Sequence, residues 1–240
     1  MSATSSSAST TRERLAAGET LVGTFLNLGS PLAAEVCARA GFDWLLVDLE
    51  HGAGTEAELI PTLQAIGGRC TALVRVEVNA RPRFARALDA GADGVMVPHV
   101  DTAEEAAAAV RRMRYPPRGT RGVAHMNRAK GWGLGAEEGD ALCLIQIETR
   151  GALEQAAAIA AADGIDVLFV GPSDLGAALE TTKLPLDRVI DAARSHGKAA
   201  GILARSRQDG ERYIEQGFRF VGIGSDSLFL AQGARSASGS

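Results

Sequence analysis

One stretch constrains this chain more than any other: Phe42-Asp43-Trp44-Leu45-Leu46-Val47-Asp48-Leu49-Glu50-His51-Gly52. Its first half is nearly continuous in apolar residues, the pattern of a strand buried on both faces, as in a parallel sheet. Its second half crowds Asp48, Glu50 and His51 into four residues. Buried acids and histidines need partners or water, so these groups are expected to line an open mouth. The rest of the chain repeats the design: an apolar strand, polar groups at its carboxyl end, then a helix.

Further strands are expected at 20–28, 71–76, 93–98, 141–147, 165–170, 198–203 and 218–223. Helical stretches separate them. Thr55 and Glu58 form a capping pair for one, and Asp101 or Thr102 caps another. Strands alternating with helices imply parallel pairing through helical crossovers. Eight such units in 240 residues imply an α/β chain closed as a (β/α)8 TIM barrel. An open doubly wound sheet is the alternative, but the glycine-rich turn expected after its first strand is absent. Gly222-Ile223-Gly224-Ser225 reads either as a phosphate loop or as a tight turn into a helix. Residues 1–11 and 232–240 are expected as disordered tails around a single barrel at 12–231.

Composition excludes several classes. The net charge of −4, with no basic run, argues against nucleic acid. No apolar run approaches the roughly 20 residues that span a bilayer, so no membrane segment is expected. The Ser/Thr/Ala-rich start lacks the charged and apolar regions of a signal peptide. Cys37, Cys70 and Cys143 show no metal spacing, which suits buried thiols in a reducing cytoplasm.

Barrel enzymes carry their chemistry at the carboxyl ends of the strands. Those ends offer Asp48, Glu50 and His51, then Arg75, His99, Gln146, Glu148 and Asp174. Glu148 and Asp174 on adjacent strands suit a hard cation such as Mg²⁺ or Mn²⁺ with waters completing its shell. Alternatively, Asp174 caps the helix after Pro172 and Glu148 pairs with Arg150. Arg75 is placed to hold an oxyanion or carboxylate, or else to form a salt bridge with Glu50 or Glu77. His51 reads as a general base oriented by Asp48. His99 stands at a correct end with no evident partner. A Schiff-base lysine has little support; Lys183 is the nearest candidate.

These residues, in this order, resemble the HpcH/HpaI aldolase family. The resemblance runs through Asp43–Gly52, Val74-Arg75-Val76, Ala90-Gly91-Ala92 to Pro98, and Arg114-Tyr115-Pro116-Pro117-Arg118-Gly119-Thr120-Arg121-Gly122. It continues in Gln146-Ile147-Glu148-Thr149-Arg150 and Phe169-Val170-Gly171-Pro172-Ser173-Asp174-Leu175. The resemblance implies a class II pyruvate aldolase of the 4-hydroxy-2-oxo-heptanedioate or 2-keto-3-deoxy-sugar-acid type. Such an enzyme cleaves a 4-hydroxy-2-oxo acid to a 2-oxo acid and an aldehyde. It implies Glu148 and Asp174 as ligands of Mg²⁺, Mn²⁺ or Co²⁺, His51 as acid/base, and Arg75 at the enolate oxygen. It implies substrate contacts around Gly171, Pro172 and Ser173, and Gln146 is placed with them. It also implies a homo-oligomer, hexameric in the family. The Gly- and Arg-rich segment 115–140 is expected as a subunit contact on the side away from the mouth. Relative to the family pattern, the segment 122–141 is short and the chain ends soon after strand eight. Rival readings are an oxaloacetate decarboxylase or biosynthetic carbon–carbon-forming relative, a CoA-thioester lyase, and a non-catalytic barrel.

Overall fold

The computed structural model describes residues 7–135 and 139–239. After helix α1 (Ser7–Ala16) the chain alternates strands and helices as expected. The strands are β1 (Leu21–Leu26), β2 (Trp44–Asp48), β3 (Thr71–Arg75), β4 (Gly94–Val97), β5 (Leu142–Ile147), β6 (Val167–Val170), β7 (Ala199–Ala204) and β8 (Phe220–Ser225). All pair in parallel with their sequence neighbours, and β8 returns to β1, so the barrel is closed. The crossovers are α2 (Pro31–Arg39), α3 (Glu56–Ile66), α4 (Arg81–Asp89) and α5 (Ala103–Met113). They continue as α6 (Arg150–Glu154) and α7 (Ala156–Ala161), α8 (Pro172–Leu179) and α9 (Leu186–Ser195), α10 (Arg207–Gln216) and α11 (Asp226–Ser238). Thr55 and Glu58 form the expected capping box, and Thr102 with Glu105 forms a second, so Thr102 is the cap rather than Asp101.

Strand parity decides what fills the barrel. Trp44 and Leu46, Leu142 and Leu144, and Val167 and Phe169 point inward and pack together. Leu45, Val47, Ile145 and Leu168 point outward onto the helices. Both faces are covered, which is why the strands read as unbroken apolar runs. Inside, Trp44 stacks on Phe220 with centroids 4.4 Å apart. Such rings fit only because neighbouring inward positions are glycine: a Cβ on Gly23 would lie 2.0 Å from Trp44 Cδ2. Burying each large apolar side chain contributes about 1.5–3 kcal/mol.

The amino ends of the strands form a floor built from a repeat. Gly41-Phe42-Asp43, Gly91-Ala92-Asp93 and Gly164-Ile165-Asp166 precede β2, β4 and β6. In each the glycine takes a left-handed turn (φ 91, 90 and 87) that ends the preceding helix. Each aspartate then accepts the N–H of a residue on the preceding strand: Val22, Ala72 and Cys143, all at 2.8 Å.

The floor corrects the reading of the tails. Residues 1–6 and 240 lie outside the described residues, but Ser7–Thr11 belongs to α1, and residues 232–238 extend α11. Ala8 and Leu15 of α1 pack on the interior cluster, and buried Thr11 bonds the Thr71 hydroxyl at 2.6 Å. This i, i+3, i+7 face is hidden in a Ser- and Thr-rich sequence because its members are small. Segment 115–135 lies on the same side. Arg121 pairs with Asp89 at 2.7 Å and Arg128 bonds the Ala90 carbonyl at 2.8 Å, both at the carboxyl end of α4. The loop therefore lies away from the mouth, as expected.

Candidate active site

The carboxyl ends of β2 and β3 lie in register, with Asp48 beside Arg75. Both residues continue the inward parity of their strands, so both enter the mouth. Arg75 grips Asp48 with two parallel hydrogen bonds, Nε to Oδ1 at 2.8 Å and Nη2 to Oδ2 at 2.7 Å. Its Nη1 lies 2.9 Å from Glu50 Oε2, and its guanidinium sits over the Phe25 ring at 5.4 Å. Burial works against its charge, but the Asp48 bonds and the nearby Glu50 and Glu148 carboxylates outweigh it and raise its pKa. The salt-bridge reading of Arg75 is thus partly realised, with Glu50 and not Glu77, but in a buried cluster.

Asp48 does not orient the His51 ring. It accepts the backbone N–H groups of Glu50 and His51 at 3.1 and 3.3 Å and the Asn27 side-chain amide at 3.2 Å. Its oxygens are taken up by the turn and by Arg75, so the expected Asp48–imidazole contact is replaced. Gly52 permits this tight turn; a Cβ there would lie 2.1 Å from the Asp48 carbonyl oxygen. The His51 ring is 64% exposed at the rim, with Nε2 3.9 Å from Glu50 Oε2.

His99 is the residue that sequence reasoning left without a partner. Its backbone N–H donates to Glu148 Oε1 at 2.7 Å, and its ring lies 3.1 Å from Glu50 Oε1 and 3.5 Å from Glu148 Oε1. A left-handed backbone (φ 53), costly for a residue with a Cβ, folds it back over the mouth. No feature of the sequence signals that turn. Asn27 was also missed. Its N–H is anchored at 2.7 Å by the buried carboxylate of Asp226, the first residue of α11. Gly222–Ser225 accordingly leads into a helix, with Ser225 as its cap, and the tight-turn reading holds there.

Glu148, just beyond β5, is 3% exposed. Burial raises its pKa, and the Glu50 and Asp174 carboxylates add to the rise against the His99 N–H bond. Gln146 Nε2 donates to Glu148 Oε2 at 2.6 Å, while Gln146 Oε1 is buried without a hydrogen-bond partner among the described residues. Gly171 caps α8 without using a side chain; a Cβ there would press on Glu148 at 3.1 Å. Pro172, Ser173 and Asp174 form the first turn of α8. Neither alternative role holds for the acids. Asp174 makes no capping bond, and Arg150 bonds the Ala178 carbonyl instead of Glu148.

Among the described residues no group of three or more His, Cys, Asp or Glu side chains is arranged as a metal cage. Mg²⁺-type sites need only one or two carboxylates with water and substrate oxygens. Glu148 and Asp174 fit that pattern. Glu148 is buried close to the Glu50 and Asp174 carboxylates, a crowding that a cation would relieve, and Gln146 Oε1, unpartnered among the described residues, is one more oxygen beside it. The site opens into a cavity of about 510 Å³ between Asp48, His51 and Arg75 on one side and Gly171 to Asp174 on the other.

A closed barrel with carboxylates, an arginine and histidines gathered at the carboxyl ends of its strands is the architecture of a barrel enzyme. The chain belongs to the HpcH/HpaI aldolase/citrate lyase family, whose pattern it matches over residues 21–232. It is 40% identical over 226 residues to the 5-keto-4-deoxy-D-glucarate aldolase of Klebsiella pneumoniae subsp. pneumoniae, 88% of each chain being covered. An HpcH/HpaI aldolase/citrate lyase family protein from Burkholderia cenocepacia J2315 superposes with a TM-score of 0.90 at 35% identity, covering 95% of this chain and 97% of that one. An HpcH/HpaI aldolase from Desulfitobacterium hafniense DCB-2 gives 0.86 at 29% identity, covering 95% and 94%. The protein is an aldolase.

Proposed function

We propose that the enzyme cleaves 4-hydroxy-2-oxo acids of the sugar-acid type reversibly to pyruvate and an aldehyde, with a divalent cation at Glu148 and Asp174. The observation that supports it best is the gathering of buried Glu148 with Glu50, Asp174 and the Gln146 Oε1 acceptor, unpartnered among the described residues, in a mouth whose buried guanidinium is already pinned by Asp48. A bound Mg²⁺ or Mn²⁺ supplies Lewis-acid polarisation of the 2-oxo group. Arg75 still has N–H donors beyond those given to Asp48 and Glu50, and they stabilise negative charge as it develops on the enolate oxygen. Asp48 and Glu50 hold the guanidinium still, so little reorganisation accompanies the reaction. His51, at the rim beside Glu50, takes the proton of the 4-hydroxyl as the C3–C4 bond breaks. The aldehyde leaves, and His51 gives the proton to C3 of the enolate, which yields pyruvate and returns the imidazole to its starting state. The backbone N–H groups of Ser173 and Asp174, in the first turn of α8, face the substrate carboxylate; Pro172 has none to give and that of Gly171 goes to the Ile147 carbonyl.

Enolate formation needs no aldehyde. The enzyme with Mg²⁺ or Mn²⁺ is expected to exchange the methyl protons of pyruvate with solvent deuterium, followed by NMR. Chelation, Glu148→Ala or Asp174→Ala abolishes the exchange. His51→Ala keeps cation affinity and slows exchange by about 100-fold. Undiminished exchange in metal-free protein refutes the class II reading. We further propose a homo-oligomer, hexameric by resemblance. Leu32, Val36 and Leu230 are exposed on α2 and α11, and Val123, Met126 and Trp132 on the loop below the barrel. A monomeric mass in light scattering at micromolar concentration overturns this. No helix among the described residues is long and apolar enough to cross a membrane. The three buried free thiols suit a reducing compartment, for which we propose the cytoplasm.

A further inference from the structure

The reaction proposed above draws on the ends of β2, β3, β5 and β6, yet β1 also delivers a polar side chain to the mouth. On β1, Leu21 and Phe25 pack on the interior cluster, and a Cβ on Gly23 would meet Trp44 inside the barrel. The same parity turns Asn27, the residue after the strand, into the mouth. There it lines the cavity of about 510 Å³ that holds the candidate active site. Its backbone is fastened on both sides. The N–H goes to Asp226 Oδ1 at 2.7 Å, and the carbonyl accepts the Ala53 N–H at 2.7 Å. Asp226 is buried and takes the Leu28 and Ser227 N–H groups as well. Asn27 is thus clamped between the start of α11 and the turn that follows β2.

Those backbone bonds ask for no particular side chain, so they do not explain the amide. Its Nδ2 donates to Asp48 Oδ2 at 3.2 Å. The opposite orientation would set two oxygens against each other. Oδ1 is then buried with no hydrogen-bond partner among the described residues. A buried carbonyl without a protein donor makes the amide less stabilising here than an apolar side chain of similar size. A residue that breaks local rules without compensation inside the fold points to a role in function.

The bonds around Asp48 say what that role is. Oδ1 collects Arg75 Nε and the Glu50 and His51 N–H groups, at 2.8, 3.1 and 3.3 Å. Oδ2 receives Arg75 Nη2 at 2.7 Å and the Asn27 amide. The backbone donors hold only Oδ1, which leaves the carboxylate free to turn about that oxygen. The Asn27 amide fixes the second oxygen, and with it the carboxylate plane. A guanidinium held by two parallel bonds lies in the plane of its carboxylate. That plane therefore sets the direction in which the remaining Arg75 N–H groups point. We propose that Asn27 is a positioning residue, which aims the Arg75 guanidinium at the enolate oxygen by fixing the Asp48 carboxylate. This rests on the aldol cleavage proposed above. Asp226 holds Asn27 in place for that task, so the first residue of α11 is tied to the chemistry at β3 through two intervening side chains.

The test is a double-mutant cycle read by deuterium exchange into pyruvate, with Mn²⁺ present and no aldehyde. Asn27→Leu fills a similar volume without the amide. It is expected to melt no lower than the parent and to lower kcat for exchange by about 10-fold, a usual size for a group that orients a functional side chain. KM for pyruvate stays near the parent's, because the guanidinium acts on charge that develops after binding. In the Arg75→Lys background the same substitution is expected to change kcat by less than about 2-fold, since no planar fork remains to be aimed. Should Asn27→Leu not fold, Asn27→Ala carries the same expectations for kcat. Unchanged kcat in the folded variant overturns the assignment. So does an equal loss in both backgrounds, because Asn27 then acts on its own and not through Arg75. Exchange by the parent separates the two failures. If the parent exchanges and the cycle shows no coupling, only the role of Asn27 is wrong. If metal-dependent exchange is absent, the cleavage reading falls and this inference with it.

Discussion

The two ends of the barrel use the same residue types to opposite effect. At the floor each carboxylate has dedicated partners: Asp43 takes Arg14 and the Val22 N–H, and Asp166 takes Arg12 and the Cys143 N–H. At the mouth Asp48, Glu50, Glu148 and Asp174 crowd around one guanidinium and two rim histidines. Both ends also enclose a cavity. The floor cavity, about 540 Å³, carries Arg12, Lys198 and Arg219. Arg12 is committed to Asp166 and to the Asp140 and Ala141 carbonyls, and Arg219 to the Ile214 and Phe218 carbonyls. Volume and charge alone therefore do not make a site. The floor's arginines are satisfied within the fold, although Lys198 has no side-chain partner among the described residues, whereas the mouth crowds four carboxylates and holds an acceptor on Gln146 unpartnered among those residues.

Replacing one arginine at each end breaks this comparison most directly. Arg75→Ala is expected to lower turnover by about 100-fold or more, since a preorganised charge facing the enolate is lost. It should also lower stability by about 3 kcal/mol, because Asp48 and Glu50 are left buried without their counter-ion. Arg75→Lys restores part of the stability but not the turnover, the planar fork being gone. Arg12→Ala should cost about 2 kcal/mol through its lost bonds to Asp166 and the carbonyls, with turnover per folded molecule unchanged. Denaturant titration and steady-state kinetics on both variants check this. If Arg12→Ala impairs turnover as much as Arg75→Ala, the division between floor and mouth is wrong.

A smaller effect sharpens the floor itself. Asp93 repeats the clamp of Asp43 and Asp166 but, among the described residues, has no arginine hydrogen-bonded to it. Burial raises its pKa, against the Ala72 N–H and the field of Arg128. The folded state therefore holds the Asp93 proton more tightly than the unfolded state does. Its contribution to stability is present at low pH and is lost as pH rises through the folded value. Asp93→Asn removes that titration and keeps an acceptor for Ala72. The variant is expected to gain stability relative to the parent between about pH 4 and pH 7, measured as the melting-temperature difference across that range. A difference independent of pH contradicts the raised pKa.

Much of the fold was legible in the chain because buried parallel strands leave an unambiguous record. Apolar runs such as Leu142–Ile147, punctuated by glycine and separated by capped helices, count out the eight units of a closed barrel. Parity then brings Asp48, Arg75 and Gln146 into the mouth. The Gly-x-Asp repeat before β2, β4 and β6 was equally open to reading but easy to miss, being spread over more than a hundred residues. Helix α1 escaped because Ala8 and Thr11 are too small and polar to announce a buried face.

The sequence by itself determined the strand count, the parity of each inward side chain, and hence which residue types meet at the carboxyl ends. Only the tertiary structure decided how those residues divide among one another. Asp48 and Arg75 are 27 positions apart, and only the β2–β3 register makes them partners, taking Asp48 from His51. His99 reaches Glu50 and Glu148 through a left-handed turn that no propensity favours. Periodicity is a local property that each strand carries alone. Pairing among charges depends on register between strands and on backbone strain sustained by the packing around them, and neither exists until the barrel closes.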